Sequence, residues 1–338
     1  MDIGILMPDN YARSIFITPT VVKALEGIGN LTWNKGYYTP EAMIPIINNS
    51  DIVIVGWGCR KLDEIILAES RKMKLVVHTG GTVADFVTDC MFNKGIRVIS
   101  GNKIFAESVA EGTLAYILTS LRRIPLFLKE VQERGWCDLA ATNAGLLDKS
   151  IGLVGFGAIA RYLVPMLRPF RVNIQAYDPY VADEVFESYG VTKVTSMKDL
   201  FSQNSIISVH LPMQPETDNL INKDILACMP DGALLVNTAR GSCIDEDALA
   251  TELRTGRINA VLDVYKLEPL SMDSPLRGMD NALLMPHHGG PTSDRCELVT
   301  MSLIEDIKRL ISGKPLEHEI PKEYAVKMTK EYETGDLC

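Results

Sequence analysis

The sequence predicts an α/β protein of two parallel-sheet domains, the second of them doubly wound, and three observations carry that prediction. The chain has 338 residues, more than a single hydrophobic core usually supports. Short β-rich runs alternate with helix-length segments throughout. A strand, a Gly-rich turn, a helix and a second strand ending in an acid occupy Gly152 to Asp178, so a domain's length of chain precedes them.

Taken in order, Ile3-Gly-Ile-Leu-Met7, Asp51-Ile-Val-Ile-Val55, Leu75-Val-Val-His78 and Arg97-Val-Ile99 read as buried strands, each closing near glycine, proline or a polar turn. Helices are expected between them near 17–27, 39–48, 62–71 and 83–93. Ala106 to Gly135 is the longest helical stretch, with a kink or break expected at Pro125. The second unit then offers six parallel strands, Ile151–Gly155, Asn173–Tyr177, Ser205–Val209, Ala233–Asn237, Ala260–Leu262 and Ala282–Met285. Ser293 to Ile311 reads as a further helix, ahead of a weakly patterned tail to Cys338. If that helix returns to the first unit, the first domain is discontinuous. The expected boundaries are 1–108 for its first segment, 109–292 for the nucleotide domain and 293–338 for its completion.

Hydrophobic residues make up 46% of the chain, and 34 basic residues against 43 acidic ones give a net charge of −9. That balance favours solubility and speaks against a nucleic-acid or anionic-membrane surface. No apolar run approaches the roughly 18 to 20 residues of a membrane span, and Met1-Asp-Ile-Gly-Ile-Leu-Met-Pro8 lacks a basic leader, so a cytoplasmic address is expected. The seven cysteines are scattered and never form a CxxC pair; they read as reduced thiols, with no metal site.

Gly155-Phe-Gly157-Ala-Ile-Ala160 supplies GxGxxA between a strand and a helix. The first glycine permits the tight turn, the second lets the backbone approach a pyrophosphate, and the small Ala160 allows close helix packing. Ala158 and Ile159 belong to the same loop. Asp178 ends the next strand, where it can accept from both adenosine ribose hydroxyls, and the following Pro179-Tyr180 brings no arginine for a 2′-phosphate. NAD is therefore expected over NADP.

Three of the five histidines, His78, His210 and His287, stand at the C-terminal ends of expected strands, the edge where parallel sheets place ligands. His287 suits acid–base work if a carboxylate holds its other nitrogen, and Glu268 is the best sequence-near candidate. Two surface-loop residues are the alternative. Arg240 follows Ala233-Leu-Leu-Val-Asn-Thr-Ala239 at the same edge, where its guanidinium can bind a carboxylate through two parallel bonds or simply cap a strand. His78-Thr-Gly-Gly-Thr82 offers amides that could hold the same carboxylate, or a satisfied turn.

Together these segments resemble the D-isomer-specific 2-hydroxyacid dehydrogenase family over nearly the whole chain. The matching runs are His78–Thr82, Ala106–Leu114, Gly152–Asp178, His210–Thr217, Met229–Gly232, Asn237–Gly241, Asp263–Pro269 and Pro286–His287. The resemblance implies two Rossmann-like domains: a flavodoxin-like substrate domain completed by the C-terminal helix, and an NAD domain. It implies hydride transfer between a small D-2-hydroxy acid and its 2-keto acid. In that scheme His287 exchanges the proton, Glu268 tunes it, Arg240 clamps the substrate carboxylate and amides of Gly80 and Gly81 grip it. Asp263 would bind the nicotinamide carboxamide, with Pro212, Thr217, Thr238 and Ala239 lining the cofactor groove. A homodimer through the region of the long helix near 106–130 is also implied.

Three positions depart from the family pattern. Ala158 stands where many relatives carry an arginine near the pyrophosphate, and His288 replaces an apolar residue beside His287. Gly56-Trp-Gly-Cys-Arg60 lies where relatives acting on phosphorylated or diacid substrates often have an arginine directly after the strand. This weakens a 3-phosphoglycerate dehydrogenase reading. An NAD(H)-sensing interaction protein or corepressor on the same scaffold is the rival from another class.

Overall fold

The computed structural model describes residues 1–137, 143–325 and 328. The chain divides into two compact units, Met1–Phe105 with Pro291–Cys338, and Ala106–Gly290. The end of the C-terminal segment, 329–338 with Cys338, lies outside the described residues.

In the first unit, β1 (Asp2–Ile5), α1 (Tyr11–Phe16), α2 (Pro19–Glu26), β2 (Asn30–Trp33), α3 (Pro40–Asn49), β3 (Ile52–Val55), β4 (Leu75–His78), α4 (Asp89–Asn93) and β5 (Arg97–Ser100) follow one another. The strands form one parallel sheet in the order β2-β1-β3-β4-β5, the flavodoxin-like arrangement. Strands β3 and β4 are buried at every position because both faces of the sheet are covered, and side chains alternate between the two. Ile52 and Ile54 pack with α1, α2 and the later Ser293–Ile311 helix. Val53 and Val55 face Met43, Ile46 and Ile47 of α3 and the apolar turn at Leu62–Leu67.

Two expected helices are not formed as predicted. Over 62–71 the chain makes turns, since the Asp63 side chain accepts the amides of Ile65 and Ile66 and halts after one cycle. Over 83–93 only Asp89–Asn93 is helical: Thr88 interrupts, donating its hydroxyl to the Leu62 carbonyl at 2.6 Å and capping Met91. The edge strand β2 has no counterpart in the sequence reading.

The second unit opens on most of α5 (Asn102–Leu121), followed by α6 (Ile124–Arg134). The expected long helix therefore breaks at 122–123, where Arg123 takes a left-handed φ of 52° and Pro125 sits in the first turn of the new helix. Next come β6 (Ser150–Val154), α7 (Ala158–Leu167), β7 (Asn173–Tyr177), α8 (Asp183–Ser188), β8 (Thr192–Lys193), α9 (Met197–Gln203), β9 (Ile206–Val209), α10 (Lys223–Leu226), β10 (Leu234–Asn237), α11 (Glu246–Arg254), β11 (Asn259–Leu262) and β12 (Ala282–Leu284). The parallel sheet has seven strands rather than the expected six, ordered β12-β11-β10-β9-β6-β7-β8. The extra member is the two-residue edge strand β8. The order reverses at β6, so the crevice beyond the ends of β6 and β9 is the ligand position of a doubly wound sheet. One face packs Ile151, Leu153 and Val236 against α5 and α7, the other Val154, Val209 and Leu235 against α9, α10 and α11.

Helices α12 (Ser293–Ile311) and α13 (Lys322–Ala325) belong to the first unit. Buried Val299, Leu303 and Ile307 face the sheet from α12, and the segment beyond it bridges β5 at Ile99 and Glu319. Among the described residues no helix is long and apolar enough to cross a membrane.

Candidate functional site

The nucleotide loop is built from β6. Strand hydrogen bonding continues one residue past it, from the Gly155 amide to the Tyr177 carbonyl at 2.8 Å, and Gly155 then turns with φ of 89°. A side chain is excluded there twice over, by the left-handed backbone and because a Cβ would lie 2.7 Å from the His210 carbonyl oxygen. Gly157 precedes α7, whose N-terminal amides lie at the head of the loop, and Ala160 is fully buried. Asp178, just beyond β7, is already oriented: Oδ2 accepts the Phe156 amide and Oδ1 the Tyr180 amide, both at 2.9 Å. Ala158 is exposed at the first position of α7, and one turn on Arg161 donates to the Phe156 carbonyl at 3.0 Å. This tight turn, helix start and pre-oriented carboxylate fit a dinucleotide.

Beyond β10, buried Asn237 fastens the next turn, accepting the Ala239 amide at 3.0 Å and donating to the Arg240 carbonyl at 2.9 Å. Thr238 and Ala239 are buried in that turn and Arg240 is half-buried. Beyond β9, the Thr217 hydroxyl donates to the Pro212 carbonyl at 2.7 Å and closes the loop between them.

The three strand-end histidines are now distinguishable. His78 and His210 are buried, and burial pushes both down to about 4, so they are neutral near pH 7. His210 keeps one bond, Nε2 to the Ser208 hydroxyl at 3.0 Å, and His78 lies against Phe86 with ring centroids 5.1 Å apart. His287 instead has its Nδ1 2.7 Å from Glu268 Oε2, with 51% of its side chain exposed. The hydrogen bond to Glu268 raises its pKa; burial and nearby Arg240 pull the other way without reversing this. Burial pushes Glu268 up, but the bonds from His287 and from the Tyr265 amide, 2.9 Å from Oε1, bring it below its ordinary value.

Asp263, 1% exposed, accepts the His288 amide at 2.8 Å on Oδ1 and the Gly289 amide at 2.7 Å on Oδ2. Tyr265 bonds the carbonyls of Leu262 and Met285 through its hydroxyl, joining the ends of β11 and β12. The sequence reading missed Asn237 and Tyr265. Asn237 ends a buried strand with a polar side chain, a signal that was available; nothing local marks Tyr265.

In the first unit, Gly80 and Gly81 follow β4, with their carbonyls held by the Gly101 amide and the Ser100 hydroxyl, each at 3.0 Å. Trp57 follows β3 between Phe16 and Phe105, with centroids 5.2 and 6.1 Å away. Arg60 is directed to Asp63, 4.0 Å away.

A family model, D-isomer specific 2-hydroxyacid dehydrogenase, NAD binding domain, matches residues 114–289. The chain belongs to this family. It is 31% identical over 300 residues to D-3-phosphoglycerate dehydrogenase of Methanocaldococcus jannaschii, covering 88% of this chain and 57% of that protein. It is 30% identical over 270 residues to hydroxypyruvate reductase of Thermotoga maritima, covering 79% of this chain and 87% of that one. The chain thus spans about half the length of the phosphoglycerate dehydrogenases it matches. The solved structure of a phosphoglycerate oxidoreductase from Rhizobium etli shares the fold, with a TM-score of 0.80 at 23% identity over 95% of this chain and 99% of that one.

Proposed function

We propose that this family member interconverts a small D-2-hydroxy acid and its 2-keto acid with NAD(H). The observation that carries the reading is the Glu268–His287 pair at 2.7 Å on the same unit as a dinucleotide-type loop. When bound, NAD(H) would supply or accept the hydride at the substrate's C2. Glu268 holds Nδ1 of His287, which leaves Nε2 to exchange the proton: imidazolium gives it to the keto oxygen in reduction, and neutral imidazole takes it from the hydroxyl in oxidation. Arg240 would clamp the carboxylate and stabilise charge growing on the keto oxygen. We assign amides of Gly80 and Gly81 to the same carboxylate.

Asp178 would accept from the ribose hydroxyls, which favours NAD over NADP. Gly155, Gly157, Ala158 and Ile159 would face the pyrophosphate, with Pro212, Thr217, Thr238, Ala239 and Asp263 along the rest of the cofactor. A phosphorylated substrate is disfavoured by Gly56-Trp57, which stand directly after β3 and offer no guanidinium there. A homodimer is supported by α6, which buries no residue and exposes Ile124, Leu128 and Val131 at helical spacing.

The test is NADH oxidation by purified protein across a panel of 2-keto acids, followed by near-ultraviolet absorbance. Activity with at least one acid is expected, and His287→Ala should lower kcat roughly 10²- to 10⁴-fold. Inactivity across the panel, or an unchanged His287→Ala enzyme, refutes the reading.

A further inference from the structure

The turn that carries His287 is held from a place the family roles above leave unassigned. His287 has φ of 56°, a left-handed conformation uncommon for a residue with a side chain and costly unless the surrounding contacts support it. Asp263 supplies such support, since its two oxygens accept the amides of the next two residues, His288 and Gly289. The carboxylate is itself steadied from α5, where the Tyr116 hydroxyl donates to Asp263 Oδ1 at 3.2 Å.

Two further contacts come from the same stretch of helix. At Gly112 the α5 backbone abuts the turn, and a Cβ there would lie 2.6 Å from the Gly289 carbonyl oxygen and 3.1 Å from its Cα. Thr113 meets Thr238 hydroxyl to hydroxyl at 2.8 Å, buried, two residues ahead of Arg240. Residues 112–116 therefore touch both the turn bearing His287 and the turn bearing Arg240.

We propose that Tyr116 is a positioning residue, which through Asp263 fixes the backbone that presents His287 to Glu268 and to the substrate. This rests on the reading of His287 as proton carrier given above. Tyr116 does not touch the reacting atoms; it supplies a donor to a buried carboxylate whose other donors belong to the turn. Losing the hydroxyl leaves Oδ1 with the His288 amide alone, and the turn gains freedom to relax from its left-handed conformation.

The experiment uses Tyr116→Phe, which keeps the ring and removes only the hydroxyl, and Gly112→Ala, which presses on the same turn sterically. Three quantities are measured: kcat and KM with NADH and the best 2-keto acid of the panel, NADH affinity by fluorescence titration, and the pH titration of the His287 ring in histidine-labelled unliganded protein. For Tyr116→Phe, kcat should fall about tenfold, the scale of one lost bond to a charged group. KM and NADH affinity should stay within about twofold, and the His287 titration should move to lower pH as its contact with Glu268 loosens. Gly112→Ala should move kcat and the titration in the same directions. An unchanged kcat and titration in Tyr116→Phe overturns the proposal, as does a loss confined to NADH affinity, which would tie Tyr116 and Asp263 to the cofactor alone. If the wild-type protein reduces no 2-keto acid, the functional reading fails, while the ring titration still decides whether Tyr116 positions His287.

Discussion

Replacing Glu268 by glutamine isolates the charge behind the proton relay. Gln retains an acceptor for the Tyr265 amide, now 2.9 Å from Oε1, so the loop geometry is preserved while the anion facing His287 is lost. A hydrogen bond between charged groups is worth about 1.5–3 kcal/mol when shielded. Here His287 is 51% and Glu268 26% exposed, so solvent screening brings the coupling down to about 1 kcal/mol or less. That corresponds to a loss of imidazolium of up to about fivefold at a pH above the His287 pKa. Because Glu268 raises that pKa, reduction, which consumes imidazolium, should lose its alkaline limb at lower pH in Glu268→Gln. Oxidation, which needs neutral imidazole, should reach its plateau at lower pH. Initial rates in both directions across the pH range measure this. If both limbs stay at their wild-type positions, Glu268 does not tune His287 and the proposed relay is wrong.

The same pair gives a stability signature with a fixed sign. His287 has its folded pKa raised, so its contribution is fully present below the unfolded histidine pKa and is lost as pH rises through the folded value. Glu268 has its folded pKa lowered, so its contribution is present above the unfolded carboxyl pKa and is lost as pH falls through the folded value. Denaturant titrations should therefore show wild type exceeding Glu268→Gln most between those limits, by about 1 kcal/mol or less for so exposed a pair. Asp178→Ala removes the proposed ribose acceptor and the partner of the Phe156 and Tyr180 amides; NADH affinity should fall roughly tenfold or more and discrimination against NADPH should narrow. Fluorescence titration with both nucleotides checks it, and an unchanged ratio removes Asp178 from cofactor choice. Arg240→Lys keeps the charge but not the fork, and KM for the keto acid should rise roughly tenfold; steady-state kinetics indistinguishable from wild type would remove the clamp.

Strands buried on both faces were legible because burial writes itself as an unbroken apolar run, as in Ile52-Val-Ile-Val55. Two of the four edge strands, β2 and β8, carry no such signal. β2 alternates exposed and half-buried residues over only four positions, and β8 is two residues long, so neither presents an unbroken apolar run. The expected helix over 62–71 misled for a different reason: Leu62, Ile66 and Leu67 are buried as helical spacing suggested, but on a turn set by Asp63. Periodicity reports which side chains go inside, and backbone bonding decides what shape takes them there.

The site divides along the same line. Gly155 and Asp178 were readable because the loop and its acid belong to one β-α-β unit whose spacing is fixed by the fold. His78, His210 and His287 look alike in the sequence, each at the end of a strand. What separates them is environment, which spacing does not encode. Burial without a carboxylate holds His78 and His210 neutral, whereas His287 gains Glu268 from 19 residues upstream in the chain. Its turn is held by Asp263, and Asp263 in turn meets Tyr116, 147 residues away in sequence. Each step outward from the imidazole is thus longer in sequence and less visible in it. The first link could be guessed from a nearby acid, while the last required the packing of α5 against the turn. That ordering makes Glu268→Gln and Tyr116→Phe non-additive: both should lower the pH at which His287 titrates, but the second acts only by loosening the contact that the first abolishes, so the double variant should titrate close to Glu268→Gln alone.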